Sequence, residues 1–338
     1  MTGMVTFQLS PLHTYQRRLG NEEIDRASSD AHLYVISRRR RTVVSKGGAF
    51  SPSALIAQTH AGASGRELKF IVNDIRDAEV FDNGSYWSGY YRGARVHGEA
   101  WHLAAMASHR KIEVSAQEVL YVGQAFGTEG SRNASIRAKS HSMLIRAYEE
   151  NYASDWDVFF TPIVVEQTSV SNDDHITLDD GNWKWVDEFC ELFSPDGRRT
   201  NGLSVDILEH MLIAYFEPTM NTKLLKWTAT KANRTLKELG LRLLSVQFYS
   251  LHELSAFFSK KRHPSLSHAI AAEIPGSIHG GGFTLGEYSD LQTRPQSFTN
   301  IVGKSMNSIA EMASNSPAIL RIFGEARPPL NPDFSAWR

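Results

Sequence analysis

The sequence predicts a mixed α/β (α+β) fold, a small mixed or antiparallel sheet flanked by helices, with further α+β regions on its N- and C-terminal sides. Three observations predict it. Short β-branched and aromatic runs, such as Leu33-Tyr34-Val35-Ile36, Leu68-Lys69-Phe70-Ile71-Val72 and Asp157-Val158-Phe159-Phe160-Thr161, have strand length. Longer segments, such as 134–151 and 204–216, repeat apolar residues at helical spacing. No repeat of fixed period runs through the chain, which excludes a solenoid or propeller.

Taken in order, Leu33 to Ile36 and Thr42-Val43-Val44 flank Arg38-Arg39-Arg40-Arg41 and predict a hairpin with a basic tip. Tyr86-Trp87 and Tyr90-Tyr91 lie among Gly84, Gly89 and Gly93 without helical period, and Gly98 to Ser108 reads as a short helix around Trp101, Leu103 and Met106. Ile112 to Val114 and Val119 to Val122 read as two extended segments, followed by a loop from Gly123 to Gly130. Ala134 to Asn151 reads as a helix whose stripe holds Ile136, Ser140, Met143, Leu144 and Ala147. The run from Asp157 continues through Ile163-Val164-Val165, bent at Pro162, into an acidic insertion over 166–182. Ser204 is a plausible N-cap for a helix to Phe216, with Val205, Leu208, Leu212, Ile213 and Phe216 on one face and Pro218 as its stop. Thr228 to Leu239 reads as a helix ended by Gly240, Leu241 to Tyr249 as a strand, Leu251 to Lys261 as a helix, His279 to Gly282 as a loop, and the last dozen residues as an extended tail. Three regions follow: 1–108 accessory, 109–245 the central domain, and 246–338 accessory.

Composition bounds the function. The 338 residues suffice for two or three modest cores. A formal net charge of −1 excludes a histone-like basic protein, so any nucleic-acid surface must be a local patch. The single cysteine, Cys190, excludes an internal disulfide framework and a cysteine-rich zinc cluster. No stretch approaches the roughly 18 apolar residues of a membrane span, and the first residues lack the blocks of a signal peptide. The expectation is a soluble cytoplasmic protein without a membrane partner; a homo-oligomer is compatible with it.

The chemistry-bearing residues form an ordered constellation. A strand ends in Tyr121-Val122-Gly123-Gln124, and a helix then presents Arg137 and His141, spaced i and i+4 and so on one side. A later helix holds Glu209 beside its apolar stripe, where a carboxylate is costly unless paired or metal-bound, and it breaks at Pro218 before Asn221. Phosphodiester hydrolysis needs a divalent ion, a cation for the developing charge and groups that move or orient protons. A hard ion such as Mg²⁺ takes one or two carboxylates and keeps several waters. Arginine offers a permanent forked donor to phosphate oxygens, and tyrosine or histidine can orient protons. Lys223, Lys226, Lys231, Arg234 and Lys237 follow Asn221 as a basic helical face suited to a nucleic-acid backbone, and Gln124 and Lys139 flank the constellation. Arg38 to Arg41 could serve phosphate contact in the same way. The tyrosines and tryptophan at 86–91 could stack unpaired bases, although core packing explains them as well. His279 and its glycines lack the Lys-Ser/Thr pair of a P-loop, which excludes that nucleotide site.

These blocks resemble the GIY-YIG nuclease family. Tyr121-Val122-Gly123 is similar to its second signature strand. Arg137-Ala138-Lys139-Ser140-His141 is similar to its Arg-x-x-x-His helix pattern, and the run from Glu209 through Pro218 to Asn221 is similar to its metal-binding helix. The resemblance covers about Ile112 to Thr222. It implies an endonuclease that uses Mg²⁺ or Mn²⁺ to hydrolyse nucleic acid, DNA in preference to RNA. Glu209 holds the metal, Arg137 neutralises the phosphate, Tyr121 and His141 activate or orient water, and Asn221 supports the site. By analogy at the level of the fold, a restriction or anti-phage role suits it. The family's first strand carries a tyrosine shortly upstream of the second, but His109-Arg110-Lys111-Ile112-Glu113-Val114 has none. The alternative that follows is a catalytically silent nucleic-acid-binding module of the same fold.

Overall fold

The computed structural model describes residues 3–12, 14, 28, 31–48, 53–60, 65–107, 111–124, 142–151, 155–172, 202–227, 241–250, 255–273 and 284–287. The expected loop at 125–130, the first half of the 134–151 helix, the acidic stretch from 173, the helix expected at 228–239, the glycine loop at 279–282 and the tail lie outside them. So do Arg137, Lys139, His141, Lys231, Arg234 and Lys237.

Strands predominate, and eight of them form one mixed sheet. Its order is β12 (Ala256–Phe258), β9 (Ala116–Gln124), β2 (Leu33–Arg40), β10 (Trp156–Asn172), β1 (Gly3–Pro11), β11 (Leu241–Tyr249), β13 (Ser267–Glu273) and β14 (Thr284–Glu287). β1 runs parallel to β11 and β12 parallel to β9, while the other neighbours are antiparallel. The sheet is larger than expected because strands of both flanking regions join it. β1 and β2, expected in an accessory region, pair with the central strands, and the expected boundary at 245/246 falls inside β11. Buried strands need partners for their backbone groups on both edges, and β1 and β2 supply them to β10 and β9.

Between β2 and β9 the chain makes a second unit. One three-stranded sheet holds β3 (Val43–Lys46), β4 (Leu55–His60) and β5 (Glu67–Val72), and another holds β6 (Ile75–Phe81), β7 (Tyr86–Tyr91) and β8 (Ala94–Glu99). Both pack with α1 (Ala100–Ala107) around Val44, Leu55, Trp87, Val96, Trp101 and Leu103. The predicted hairpin with a basic tip does not form, since β2 and β3 belong to different sheets. Three of the four arginines extend β2 instead. Arg39, 2% exposed, lies between the Trp101 ring at 3.8 Å and the Phe159 ring at 4.5 Å, and burial pulls its pKa down to about 10 despite nearby Glu99 and Asp157.

Two expected segments change type. Lys111–Val114 is a single helical turn, α2, and β12 with the turn after it replaces the helix expected at 251–261. The alternation Ala256-Phe257-Phe258 is short, but its position beside β9 supplies ladder bonds that a lone helix there would forgo. β10 passes through Pro162 and pairs with β1 as far as Asn172, so the first residues of the expected acidic insertion are strand. α3 (Ser142–Asn151) covers one face of the sheet and α4 (Gly202–Phe216) the other, which puts separate apolar cores on the two faces. α4 is buried nearly all round rather than along one stripe. No described helix is long and apolar enough to cross a membrane.

Candidate functional site

The site grows from an irregularity in β9. Ile36 pairs with Tyr121 but Ser37 pairs with Val119, so Leu120 is an extra residue, a β-bulge. Val119 and Val122 therefore face the core under α4, while Leu120 and Tyr121 both turn to the face covered by α3. Gly123 sits opposite Tyr34 on β2. The Tyr34 and Tyr121 rings stand 6.1 Å apart at 35°, and Tyr34 also packs on Phe160 at 5.4 Å. Both rings close over the bare Cα of Gly123: a Cβ there would lie 2.6 Å from Tyr121 Cε1 and 2.7 Å from Tyr34 Cζ and Oη. Tyr34 is fully buried and Tyr121 half-buried. A tyrosine thus does stand on the strand paired with β9, although far upstream of the stretch expected to hold it.

Asn221 fixes the same strand from its edge. β12 pairs with β9 only at Ala116 to Glu118, which leaves the later residues without a strand on that side. The segment after α4 fills the gap. Met220 N donates to Leu120 O at 2.9 Å, the Val122 N–H donates to Asn221 Oδ1 at 2.9 Å, and Asn221 Nδ2 donates to Val122 O at 2.9 Å. A side-chain amide has the donor and acceptor spacing of a peptide, so Asn221 acts as one more rung of the ladder. Its role is to hold the residue between Tyr121 and Gly123.

Glu209 is half-buried on α4, which packs on the sheet face opposite the two tyrosines. Asp206, one turn before it and so on the same side of the helix, accepts a hydrogen bond from Gln124 Nε2 at 2.9 Å. That bond ties the end of β9 to α4 and turns this side of the helix toward the strand's edge. Lys223 and Lys226 are exposed, but on a non-helical segment in which Leu224 has a φ of 61°, so the helical basic face does not include them. His210 anchors that segment: its Nε2 bonds Lys226 O at 2.8 Å and its ring lies 4.5 Å from that of Trp227. Burial, outweighing the bond to Lys226 O, lowers the His210 pKa and keeps the ring neutral.

A comparison with family models, curated proteins and solved structures finds no match. The site rests on its own geometry.

Among the described candidates, the structure brings Tyr121, Asn221 and Gln124 together at the end of β9, but it does not bring Glu209 to Tyr121: its helix packs on the opposite face of the sheet. Tyr34 was missed by reading along the chain, although Leu33-Tyr34-Val35 and Leu120-Tyr121-Val122 repeat the same tripeptide on the two paired strands. Asp206 was missed as well; its spacing of three residues from Glu209 was the available signal.

Proposed function

We propose that the chain is a GIY-YIG-type endonuclease that hydrolyses phosphodiester bonds of nucleic acid, DNA in preference to RNA, with Mg²⁺ or Mn²⁺. The observation that carries this reading is the pair Tyr34 and Tyr121, on adjacent antiparallel strands, closed over Gly123. It supplies a strand-borne tyrosine where the stretch before β9 has none, while Glu209, on the opposite face of the sheet from Tyr121, favours the silent nucleic-acid-binding module as the second reading. The peptide-like hold of Asn221 on Val122 gives the end of the metal-helix motif a physical purpose.

In this reading Tyr121, the less buried of the pair, orients the attacking water and manages its proton, and Tyr34 packs behind it to fix its ring. Arg137 pairs with the phosphate and His141 shares the proton work. Glu209 holds the divalent ion. One carboxylate is enough for such a hard ion, which keeps several waters, and among the described residues no group of three or more His, Cys, Asp or Glu offers a denser cage. A divalent ion bound there would supply positive charge to the phosphate and lower the pKa of a bound water. Asn221 touches no substrate and is a positioning residue.

The test is a cleavage panel on single- and double-stranded DNA and RNA with Mg²⁺, Mn²⁺ or EDTA. Metal-dependent cutting is expected, lost in Glu209→Ala and Arg137→Ala, and slowed about 10²-fold or more in Tyr121→Phe. Glu209→Ala protein that cuts as fast as its parent would sink the proposal.

A further inference from the structure

The aromatic segment at 86–91 divides between two environments. Trp87 is 2% exposed and belongs to the core of the inserted unit, whereas Tyr90, three residues on, is 42% exposed. The register of β6, β7 and β8 explains the split. Directly opposed residues of antiparallel strands share a face, so Arg76, Tyr90 and Arg95 form one row across the three strands. Glu79, Ser88 and His97 form the next row, and Phe81, Tyr86 and Glu99 the third. Arg76, Arg95, His97, Phe81 and Tyr90 are exposed, while Val80, Trp87 and Val96 point to the other side and pack in the core.

We infer that this solvent face of the β6–β7–β8 sheet binds single-stranded nucleic acid, with Tyr90 stacking on a base and Arg76 and Arg95 flanking it to meet the phosphates. The choice of partner rests on the nuclease reading. The chemistry of the face supports it independently. Unpaired bases stack on exposed aromatic rings regardless of sequence, and guanidinium groups beside the ring neutralise the backbone. Of the carboxylates on this side, Glu99 is already engaged by Trp101 Nε1 at 2.5 Å, which leaves Asp77 and Glu79 of β6 against Arg76 and Arg95.

The β7–β8 hairpin marks the limit of the face. Arg92 and Gly93 form a two-residue turn with φ of 50° and 85°, the type I′ geometry that favours Asn-Gly or Gly-Gly. An arginine is a costly residue at such a position. Arg92 nevertheless stands there, its guanidinium 5.2 Å from the Tyr91 ring and one residue beyond the Tyr90 row. Tyr91 alternates with Tyr90 along β7 and packs toward the core, so the Arg92 guanidinium lies on the other side of the sheet and is not one of this face's cations.

The test is fluorescence anisotropy of labelled oligo-dT, oligo-rU and a mixed-sequence duplex with the full chain in EDTA, where no metal-dependent cutting occurs. Single strands should bind more tightly than the duplex, and the two single-stranded arms decide between DNA and RNA. Tyr90→Ala should weaken binding by about 5- to 150-fold, the effect of losing one stacked base, and Tyr90→Phe should restore it. Arg76→Gln and Arg95→Gln should each lower the slope of log affinity against log salt by about 0.7. Arg92→Gly, which removes a guanidinium on the other side of the sheet beside Tyr91, should melt at higher temperature than the parent and bind unchanged, which makes it the control. Unchanged affinity in Tyr90→Ala overturns the inference, as does a parent that binds no single strand, or one whose Tyr90→Ala form loses only self-association in sedimentation. Intact single-strand binding with no cleavage under any metal would sink the nuclease reading and leave this face standing. Cleavage without Tyr90-dependent binding would do the reverse.

Discussion

Gly123 is held to a bare Cα by its neighbours, since an added methyl would stand 2.6 Å from Tyr121 Cε1 and 2.7 Å from Tyr34 Cζ. Those rings also pack against Phe160, Leu120 and Ile36, so neither can retreat without opening the core beneath α3. Gly123→Ala is therefore expected to cost about 1–3 kcal/mol in urea unfolding, the usual penalty of overpacking. Gly98→Ala is the control: its new methyl would meet Trp87 Nε1 at an ordinary 3.7 Å, so its stability should be unchanged or slightly raised. Equal stabilities for the two variants would mean that the tyrosine pair does not close over Gly123 as described. At this scale the sequence picked out Tyr121, Gly123 and Asn221 by motif, but their contacts here come from residues distant along the chain: Asn221 with Val122, and Tyr121 and Gly123 with Tyr34. Tyr34 stayed hidden because its meaning comes from strand pairing, and a whole folded unit separates it from β9 along the chain.

The strand β9 is an element completed by a side chain. Beyond Glu118 its outer edge is closed by Met220 N and by both polar atoms of Asn221. Asn221→Ala removes two buried bonds at once, and about 1–3 kcal/mol of stability should go with them. Asn221→Asp should be no better, because a carboxylate can accept from Val122 N–H but repels Val122 O. Amide hydrogen exchange gives the specific readout: Val122 N–H should lose protection in Asn221→Ala and keep more of it in Asn221→Asp, while Val35 N–H, within the β2 pairings, keeps it in both. Loss of protection spread evenly over β9 would instead indicate general loosening. Element types were legible where an apolar run has the composition and length of its element, as in β5, β9, α1 and α4, even though α4 and β9 are buried on more than one side. They were misread where pairing decides. Arg38 to Arg40 look like a solvated turn, yet they extend β2 because β10 offers partners, with Trp156 receiving Arg38 at 4.4 Å and Arg40 at 4.1 Å. Ile112 to Val114 is β-branched enough for a strand, but the chain turns there between the two units and one helical turn spans the corner.

At the scale of the described residues, the expected division into three consecutive regions gives way to one sheet that draws strands from both flanking regions and carries a second core between β2 and β9. Periodicity could show the strands but not which of them would meet. Joining both flanking regions to one sheet also buries a titratable group that ties distant parts together. His268 on β13 is 3% exposed; its Nε2 donates to Phe257 O on β12 at 3.0 Å, which leaves Nδ1 to accept from the Tyr215 hydroxyl of α4 at 3.1 Å. Burial, chiefly, pulls its pKa from 6.5 to about 4; the nearby Arg262 guanidinium adds to this, and the bond to Phe257 opposes it. The unfolded chain therefore takes up a proton between pH 6.5 and about 4 that the folded chain refuses. Stability must fall as pH falls through that window, by about 3 kcal/mol in all on the linkage relation, with this contribution levelling off below it. His268→Gln keeps a donor for Phe257 O but cannot titrate. Its unfolding free energy, measured by urea at intervals from pH 7 to 4, should start lower than that of the parent and decline less steeply, so that the two curves converge toward pH 4. Parallel curves would show that His268 is not the group through which acid loosens the sheet.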